Sequence, residues 1–499
     1  MAIASILVGR LLGPELYGQY TLAFVIPTLL FIFTDLGINA GIIKFTASLR
    51  LKGETNRITK IIKYGLLLRA STGIAIFTIN YALADLFASV LLQRPDLAFY
   101  MRIVSISILF QVISTIATSA FVGLDKTEYN ALTMNTNAVA KAIISITLVL
   151  LGFSVAGALV GYIAGHIIAS VVGISVLFLM IRKMRSVQNN HSVSEDLKTL
   201  MIYGAPLYIS VLLTSFSPLY QNIILAIFTT DANIGNYKAA TNFVALIATL
   251  AVPITTALLP AFSKLNSSTN QKIKSFFKLA NKYTAIVIVP ITFLIIVFSG
   301  EIVQIVYGST YESAPMFLAT YCPIYLLVGL GYLTLASLYN GLGDTRTTLK
   351  ISLITFLTLA ILSPLLTKNY SVQGLITAIL VASTAGTIYG SYIARKKFQI
   401  EFDTSTLLKI YLISAISTVP SLLVLQFANL PGLFNITIGG LLYLFTYVTL
   451  TPLTKIVTTS EIRTATHITQ KIRLLAFVAK PVLKYQEKLL RMKANLQKL

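Results

Sequence analysis

The chain has 499 residues, of which 56% are hydrophobic and 11% charged, and its mean hydropathy is +0.81. Soluble domains carry about 25% charged residues, so this composition excludes an ordinary soluble enzyme. The basic residues that give the net charge of +22 lie between apolar runs and in the C-terminal tail. This placement indicates that they set membrane topology and contact anionic lipid rather than bind nucleic acid. A single cysteine, Cys322, excludes an internal disulfide and a cysteine-based metal site.

Apolar runs near 20 residues in length recur along the whole chain, and each can cross a hydrocarbon layer of roughly 30 Å. Lipid offers no hydrogen-bond partners, so each run must satisfy its own backbone as a helix. We therefore predict an all-α polytopic membrane protein with about 14 transmembrane helices. The first run is half the usual length, and we expect its helix to be truncated. The predicted spans are residues 1–12, 16–38, 62–92, 99–121, 131–152, 154–181, 201–229, 237–262, 278–307, 316–339, 346–367, 371–394, 408–428 and 432–453.

The basic residues are distributed unevenly between the two sides of these spans. Of the 39 lysines and arginines, 32 lie in one alternating set of connections and in the tail, and five lie in the opposite set. Cytoplasmic loops carry the excess of Lys and Arg. This asymmetry predicts a multi-pass protein of the cell membrane whose C-terminus is cytoplasmic.

Three short motifs recur in order at a nearly constant offset of 217 or 218 residues. They pair residues 18–23 with 235–240, 123–127 with 341–345, and 154–157 with 371–374. The offset covers an even number of spans, so the two copies share one orientation, as in parallel-repeat transporters. We predict two six-helix lobes (1–185 and 201–398) joined by a cytoplasmic linker (186–200). Two further helices (399–455) and a basic amphipathic cytoplasmic tail (456–499) follow.

Four basic residues within or at the ends of spans are candidate substrate contacts. A charge inside the bilayer is costly and normally faces a partner or a water-filled interior. Lys141 lies near the middle of its span, so it either lines a cavity or pairs with a carboxylate such as Asp85. Arg69 either faces the interior or extends to the cytoplasmic surface. Arg10 and Lys238 lie near the outer ends of their spans and either ring a cavity or anchor the interface.

Two carboxylates in the spans, Asp35 and Asp85, either take a coupling cation or balance a basic neighbour. The glycines at 157, 161 and 165 form a GxxxGxxxG face, which allows close contact between helices. We find no metal triad, nucleophile elbow or phosphate loop, so the sequence predicts no catalytic residues, no metal site and no cofactor.

The stretch Arg10-Leu-Leu-Gly-Pro-Glu-Leu-Tyr-Gly-Gln-Tyr20, followed by Asp35-Leu-Gly37, resembles the opening of the polysaccharide-biosynthesis (Wzx-type) flippases. These belong to the multidrug/oligosaccharidyl-lipid/polysaccharide (MOP) exporter superfamily. Residues 235–240, 305–311 and 341–345 agree with it in style, so the resemblance covers nearly the whole chain.

The resemblance implies a monomeric transporter with two six-helix lobes. Family members move lipid-linked oligosaccharides from the inner to the outer leaflet. A glycan on a polyprenyl or dolichyl (di)phosphate would then be the partner, and alternating access the mechanism. The four basic residues at 10, 69, 141 and 238 would contact its phosphates or sugars.

Three alternatives are open at this point. An ion-coupled multidrug antiporter of the same superfamily would need a deep acidic site. A major-facilitator transporter would carry a basic loop motif after its second span, which residues 51–58 lack. A membrane glycosyltransferase or polymerase would need acidic motifs on outer loops, whereas the one close pair, Glu401 and Asp403, lies on the predicted cytoplasmic side.

Overall fold

The computed structural model describes residues 2–183, 212, 215–265, 270–428, 431–469 and 473–496, and in these ranges the long regular elements are all helices. The predicted linker 186–200 and the start of the predicted span 201–229 lie outside them. The first helices are α1 (Ala2–Ala23), α2 (Val25–Ile32), α3 (Ile38–Leu51), α4 (Thr55–Ala82), α5 (Ala84–Leu86), α6 (Leu97–Gly123), α7 (Thr127–Leu148), α8 (Ser154–Lys183) and α9 (Ser215–Phe228). They are followed by α10 (Asp231–Ser263), α11 (Asn270–Val297), α12 (Ser299–Tyr307), α13 (Ala314–Tyr321), α14 (Leu335–Gly341), α15 (Thr345–Phe398), α16 (Thr404–Ile416), α17 (Thr418–Phe427), α18 (Gly432–Leu453), α19 (Thr459–Thr469) and α20 (Arg473–Leu496).

Nine helical stretches in the described residues are long and apolar enough to cross a membrane, or ten if a pair bent by 47° around residues 331–334 forms one span. The prediction of an all-α polytopic membrane protein is confirmed, while the count of 14 spans stays a prediction. Two of the nine are hairpins, because their halves pack against each other. In α15, for example, a Cβ built on Gly386 would lie 2.0 Å from the side chain of Thr355.

The two hairpins turn at serines with the same backbone conformation. Ser154 has φ 50° and ψ −136°, and Ser371 has φ 52° and ψ −138°. Both angles lie in a region that residues other than glycine seldom occupy. The serines are 217 residues apart, which is the offset of the sequence repeat, so the repeated motif encodes a repeated turn. The lobe boundaries drawn from that repeat stay a prediction.

The chain divides into two compact units. The first unit comprises Met1–Ala239 with Ser363–Leu375. One apolar cluster of this unit joins α3, α4, α6 and α8 through residues such as Ile42, Ile62 and Phe121, which are fully or almost fully buried. Because lipid is as apolar as these side chains, such contacts stabilise the bundle by close packing rather than by exclusion of water.

The second unit comprises Ala240–Leu362 with Ile376–Leu499. One of its apolar clusters contains Phe262, Phe277 and Tyr339. Another surrounds Val289 and Tyr443 and joins α11, α16 and α18. The amphipathic tail predicted from the sequence forms α19 and α20, which begin after α18 has ended.

A polar tie holds α19 to α11 in the second unit. The Glu461 carboxylate accepts hydrogen bonds of 2.8 Å each from Lys282 Nζ and the Tyr283 hydroxyl, and it also accepts one from the Thr458 amide. Burial raises the pKa of Glu461, but the hydrogen bonds from Lys282, Thr458 and Tyr283 lower it more and leave the pKa at about 2. The tie therefore depends on an ionised Glu461.

Candidate functional site

A cavity of about 340 Å³ lies within the first unit. This volume falls in the range of roughly 300–1,000 Å³ typical of small-molecule sites. Lys141 and Lys238 are the charged residues among its described lining, which contains no carboxylate. The cavity is lined by Ser5, Tyr20, Thr21, Phe24, Val25, Thr28, Lys141, Tyr162, Leu219, Asn222 and Lys238.

The close contact between α7 and α8 positions Lys141 in this cavity. A Cβ built on Gly165 would lie 2.9 Å from the Lys141 Cβ, and one built on Gly161 would lie 2.3 Å from the backbone nitrogen of Ser145. Only glycine leaves room for helices to approach this closely. The predicted packing role of the glycine face is confirmed, and its consequence is a fixed position for the backbone around Lys141.

The Lys141 ammonium lies over the ring of Tyr162, with Nζ 4.7 Å from the ring centroid. A cation attracted to the face of an aromatic ring recovers part of the solvation that it loses on burial. Tyr162 is itself held in place, because Gln111 Nε2 donates a 2.9 Å hydrogen bond to its hydroxyl and Phe24 packs edge-on against its ring. The site thus presents an amine in a restrained position next to open space.

Lys238 reaches the same cavity from α10, so the structure brings together two of the four predicted basic residues. The sequence separates them by almost 100 positions, and nothing local to either residue indicates that they share a site. Two amines around one water-accessible space attract a group that carries more than one negative charge.

Arg69 is not among the described residues that line the cavity, and only 1% of it is exposed. Its Nη1 donates hydrogen bonds to Asn39 Oδ1 (2.7 Å) and Thr115 Oγ1 (2.9 Å). Its Nη2 donates to Thr34 Oγ1 at 2.9 Å, and Asp35 Oδ1 lies 3.6 Å from Nη1. We call these five residues the Arg69 cluster. Both Nη atoms of the guanidinium are thus bonded within the protein, whereas Nε is buried without a hydrogen-bond partner in the described part of the chain.

The other predicted charged residues lie elsewhere in the first unit. Asp85 forms an ion pair with Arg102, so the alternative in which it pairs with Lys141 is not the arrangement in the structure. Asp35 belongs to the Arg69 cluster. Arg10 is exposed on α1 and does not appear in the described lining of the cavity.

A close crossing of α1 and α10 is a further feature of the first unit. A Cβ built on Gly18 would lie 1.9 Å from the Asp231 carbonyl oxygen, and one built on Gly235 would lie 1.8 Å from the Pro14 carbonyl oxygen. Both pairs of equivalent residues are 217 positions apart, so the repeat forms a self-complementary contact. We call these four residues the α1–α10 crossing. Arg94 adds an ion pair of 3.2 Å to Asp231.

Sequence reasoning missed Tyr20, Tyr162 and Asp231 as parts of these sites. Tyr20 stands inside the motif at residues 10–20, and Tyr162 follows Gly161 of the glycine face. The position of Tyr162 beside the glycine face and one turn before His166 was a signal from which this site residue could have been predicted. His166 itself contacts Asn137, with 3.0 Å between His166 Nδ1 and Asn137 Nδ2.

Comparisons with known proteins agree with this architecture. The family described as "Polysaccharide biosynthesis protein" matches residues 2–266, just over half of the chain. No curated protein matches the sequence. The solved structure of the lipid II flippase MurJ in an inward closed conformation is similar, with a TM-score of 0.68 and 18% identity over 90% of this chain and 96% of that one.

Two transporters of the MOP superfamily are similar as well. An inward-facing multidrug resistance MATE family transporter has a TM-score of 0.66 and 16% identity, and the match covers 80% of this chain and 95% of that one. A MOP superfamily transporter from Pyrococcus furiosus, described as having a binding pocket of reverse polarity, has a TM-score of 0.52 and 17% identity, over 81% and 92% of the two chains. At these identities the likeness concerns the fold.

Proposed function

Because the chain belongs to the polysaccharide biosynthesis protein family, we propose that it moves a lipid-linked oligosaccharide from the inner to the outer leaflet of the cell membrane. The family predicted from residues 10–20 is thereby confirmed, and the chain is a membrane transporter of the MOP superfamily rather than an enzyme. Its substrate in this proposal is a glycan on a polyprenyl or dolichyl (di)phosphate. The transporter acts as a monomer with a cytoplasmic C-terminus.

The observation that carries the proposal is the charge of the cavity. A phosphate-linked headgroup must leave water to cross the bilayer, and amines that form charge-assisted hydrogen bonds offset that loss. Lys141 and Lys238 supply two amines, and hydroxyls such as those of Tyr20 and Thr21 supply partners for a sugar. Asn222 adds an amide to the same wall.

The α1–α10 crossing supports an alternating-access mechanism. Its residues and Arg94 lie next to connections that the charge distribution predicts to be on the outer side. A contact made by the two copies of a repeat is the place where parallel lobes can separate and rejoin. In this proposal the crossing closes the outer end of the pathway while the cavity receives its substrate.

The multidrug alternative would require a carboxylate to bind a cationic drug. The described lining of the cavity offers none, since Asp35 pairs with Arg69 and Asp85 pairs with Arg102. An anionic headgroup is therefore the better match to this site. The substrate contacts predicted for Arg69 and Arg10 stay predictions, and the proposed binding pair consists of Lys141 and Lys238.

A complementation experiment tests the proposal. The chain is expressed in a host that lacks its own glycan flippase, and polysaccharide at the cell surface is measured. We expect the unchanged chain to restore surface polysaccharide. Lys141→Gln or Lys238→Gln should lower the rate at which polysaccharide appears at the surface about ten- to hundredfold, as for loss of a hydrogen bond to a charged group.

Lys63→Gln, at an exposed position on α4, is the matched control and should leave restoration unchanged. Full activity of both cavity variants would contradict the assignment of the cavity as the headgroup site. Failure of the unchanged chain, together with raised drug resistance, would favour the multidrug alternative.

A further inference from the structure

The C-terminal helix α20 is fixed against the last span by polar contacts. Gln486 Nε2 donates a 3.1 Å hydrogen bond to Thr451 Oγ1, and the Tyr485 hydroxyl lies 3.1 Å from Thr449 Oγ1. The Tyr485 ring also stacks on Phe445, with 5.9 Å between centroids. One face of α20 therefore packs against α18, and this contact fixes the direction in which the opposite face points.

These contacts place the middle of α20 beside the C-terminal turns of the last span. α18 ends at Leu453, so at 1.5 Å per residue the contacts at Phe445 and Thr451 lie about 12 and 3 Å from its end. Each polar layer beside the hydrocarbon core is about 5–7 Å thick. The contact at Thr451 therefore lies within one layer's thickness of the end of the span, and the contact at Phe445 lies deeper.

Four basic residues form a stripe on the face of α20 that points away from α18. Lys480, Lys484, Lys488 and Arg491 are all exposed. At 3.6 residues per turn they lie about 120–160° around the helix from Gln486. We call them the basic stripe. The only acidic residue in α20 is Glu487, which pairs with Arg491 at 2.7 Å.

We infer that the basic stripe binds the headgroups of anionic phospholipids in the leaflet where α18 ends. The inference goes beyond the proposed transport function and does not depend on it. Charge complementarity and position support it together, because an exposed basic stripe on a helix packed against the C-terminal turns of the last span lies close to lipid phosphates. Each Lys or Arg near an anionic surface strengthens the attraction about fivefold, and salt screens it.

Fluorescence quenching in reconstituted bilayers tests the inference on the full chain. A Met492→Cys variant carries a fluorophore at the edge of the stripe, where Met492 is 53% exposed. The one native cysteine, Cys322, is buried, which directs the label to position 492. Quenching is compared between spin-labelled phosphatidylglycerol and spin-labelled phosphatidylcholine, each at the same fraction in phosphatidylcholine vesicles.

We expect stronger quenching by phosphatidylglycerol, and a Lys484→Gln/Lys488→Gln variant should lower that preference about fivefold or more. Arg346→Gln/Lys350→Gln removes two charges from exposed positions on α15 and should leave the preference unchanged. Equal quenching by the two lipids, or an undiminished preference in the stripe variant, would overturn the inference. Retained thermal stability of that variant excludes misfolding as the cause of a loss.

Discussion

Replacing Arg69 by Met should destabilise the protein because it removes the centre of the Arg69 cluster. The substitution keeps an unbranched apolar side chain but leaves Asn39, Thr115 and Thr34 without the donor that each now has. Hydrogen bonds between membrane helices contribute about 0.6 kcal/mol on average and up to about 1.7 kcal/mol. Three such bonds, together with the lost attraction to Asp35, give an expected loss of about 2–4 kcal/mol in the free energy of unfolding.

The measurement is a titration of purified protein with dodecyl sulfate in mixed micelles, followed by far-ultraviolet circular dichroism. Lys63→Met, at an exposed position on the same helix, should change the free energy of unfolding by less than about 0.5 kcal/mol. A cycle with Asp35→Asn isolates the contribution of the ion pair. If Arg69→Met were as stable as Lys63→Met, the guanidinium would not be held by the cluster, and its predicted role as a substrate contact would regain weight.

Two further outcomes follow from the close contacts. Gly235→Ala places a Cβ against the Pro14 carbonyl oxygen, so the α1–α10 crossing should open and cysteines introduced there should react faster with a thiol reagent. Gly440→Ala, whose Cβ would meet no atom of the described residues within 4 Å, should leave that labelling rate unchanged. Equal labelling rates in the two variants would contradict the packing argument. The Glu461 tie should loosen in acid: its pKa of about 2 lies below the ordinary 4.5, so its stabilisation is complete above about 4.5 and is lost as the pH falls through about 2. At neutral pH, hydrogen exchange in α19 should be slower in the unchanged chain than in Lys282→Met, and at pH 2 this difference should shrink. A difference of the same size at both pH values would refute the role of the ionised Glu461.

The sequence predicts the class and the repeat well because both depend on properties that accumulate along the chain. Hydropathy is summed over 20 residues, and the shared turn at Ser154 and Ser371 follows from a motif repeated at one offset. Lys141 was recognisable because a charge at mid-span is costly wherever the helix points.

The arrangement of side chains around the sites was not predictable in the same way. Lys141 on α7 and Lys238 on α10 line one cavity, and neither sequence neighbourhood indicates that the two helices border the same space. The partners of Arg69 come partly from the break between α2 and α3, where Thr34 and Asp35 stand. A break changes the direction in which the following side chains point, and helical periodicity cannot supply that rotation.

The most direct test of the proposed function is transport by the purified chain in sealed vesicles. A fluorescent oligosaccharide on a polyprenyl diphosphate is placed in both leaflets, and a membrane-impermeant quencher reports how fast the inner pool reaches the outer leaflet. The proposal predicts rapid exchange in vesicles that contain the chain, slowed about tenfold or more by Lys141→Gln. Exchange no faster than in empty vesicles, with uptake of a cationic drug instead, would contradict it.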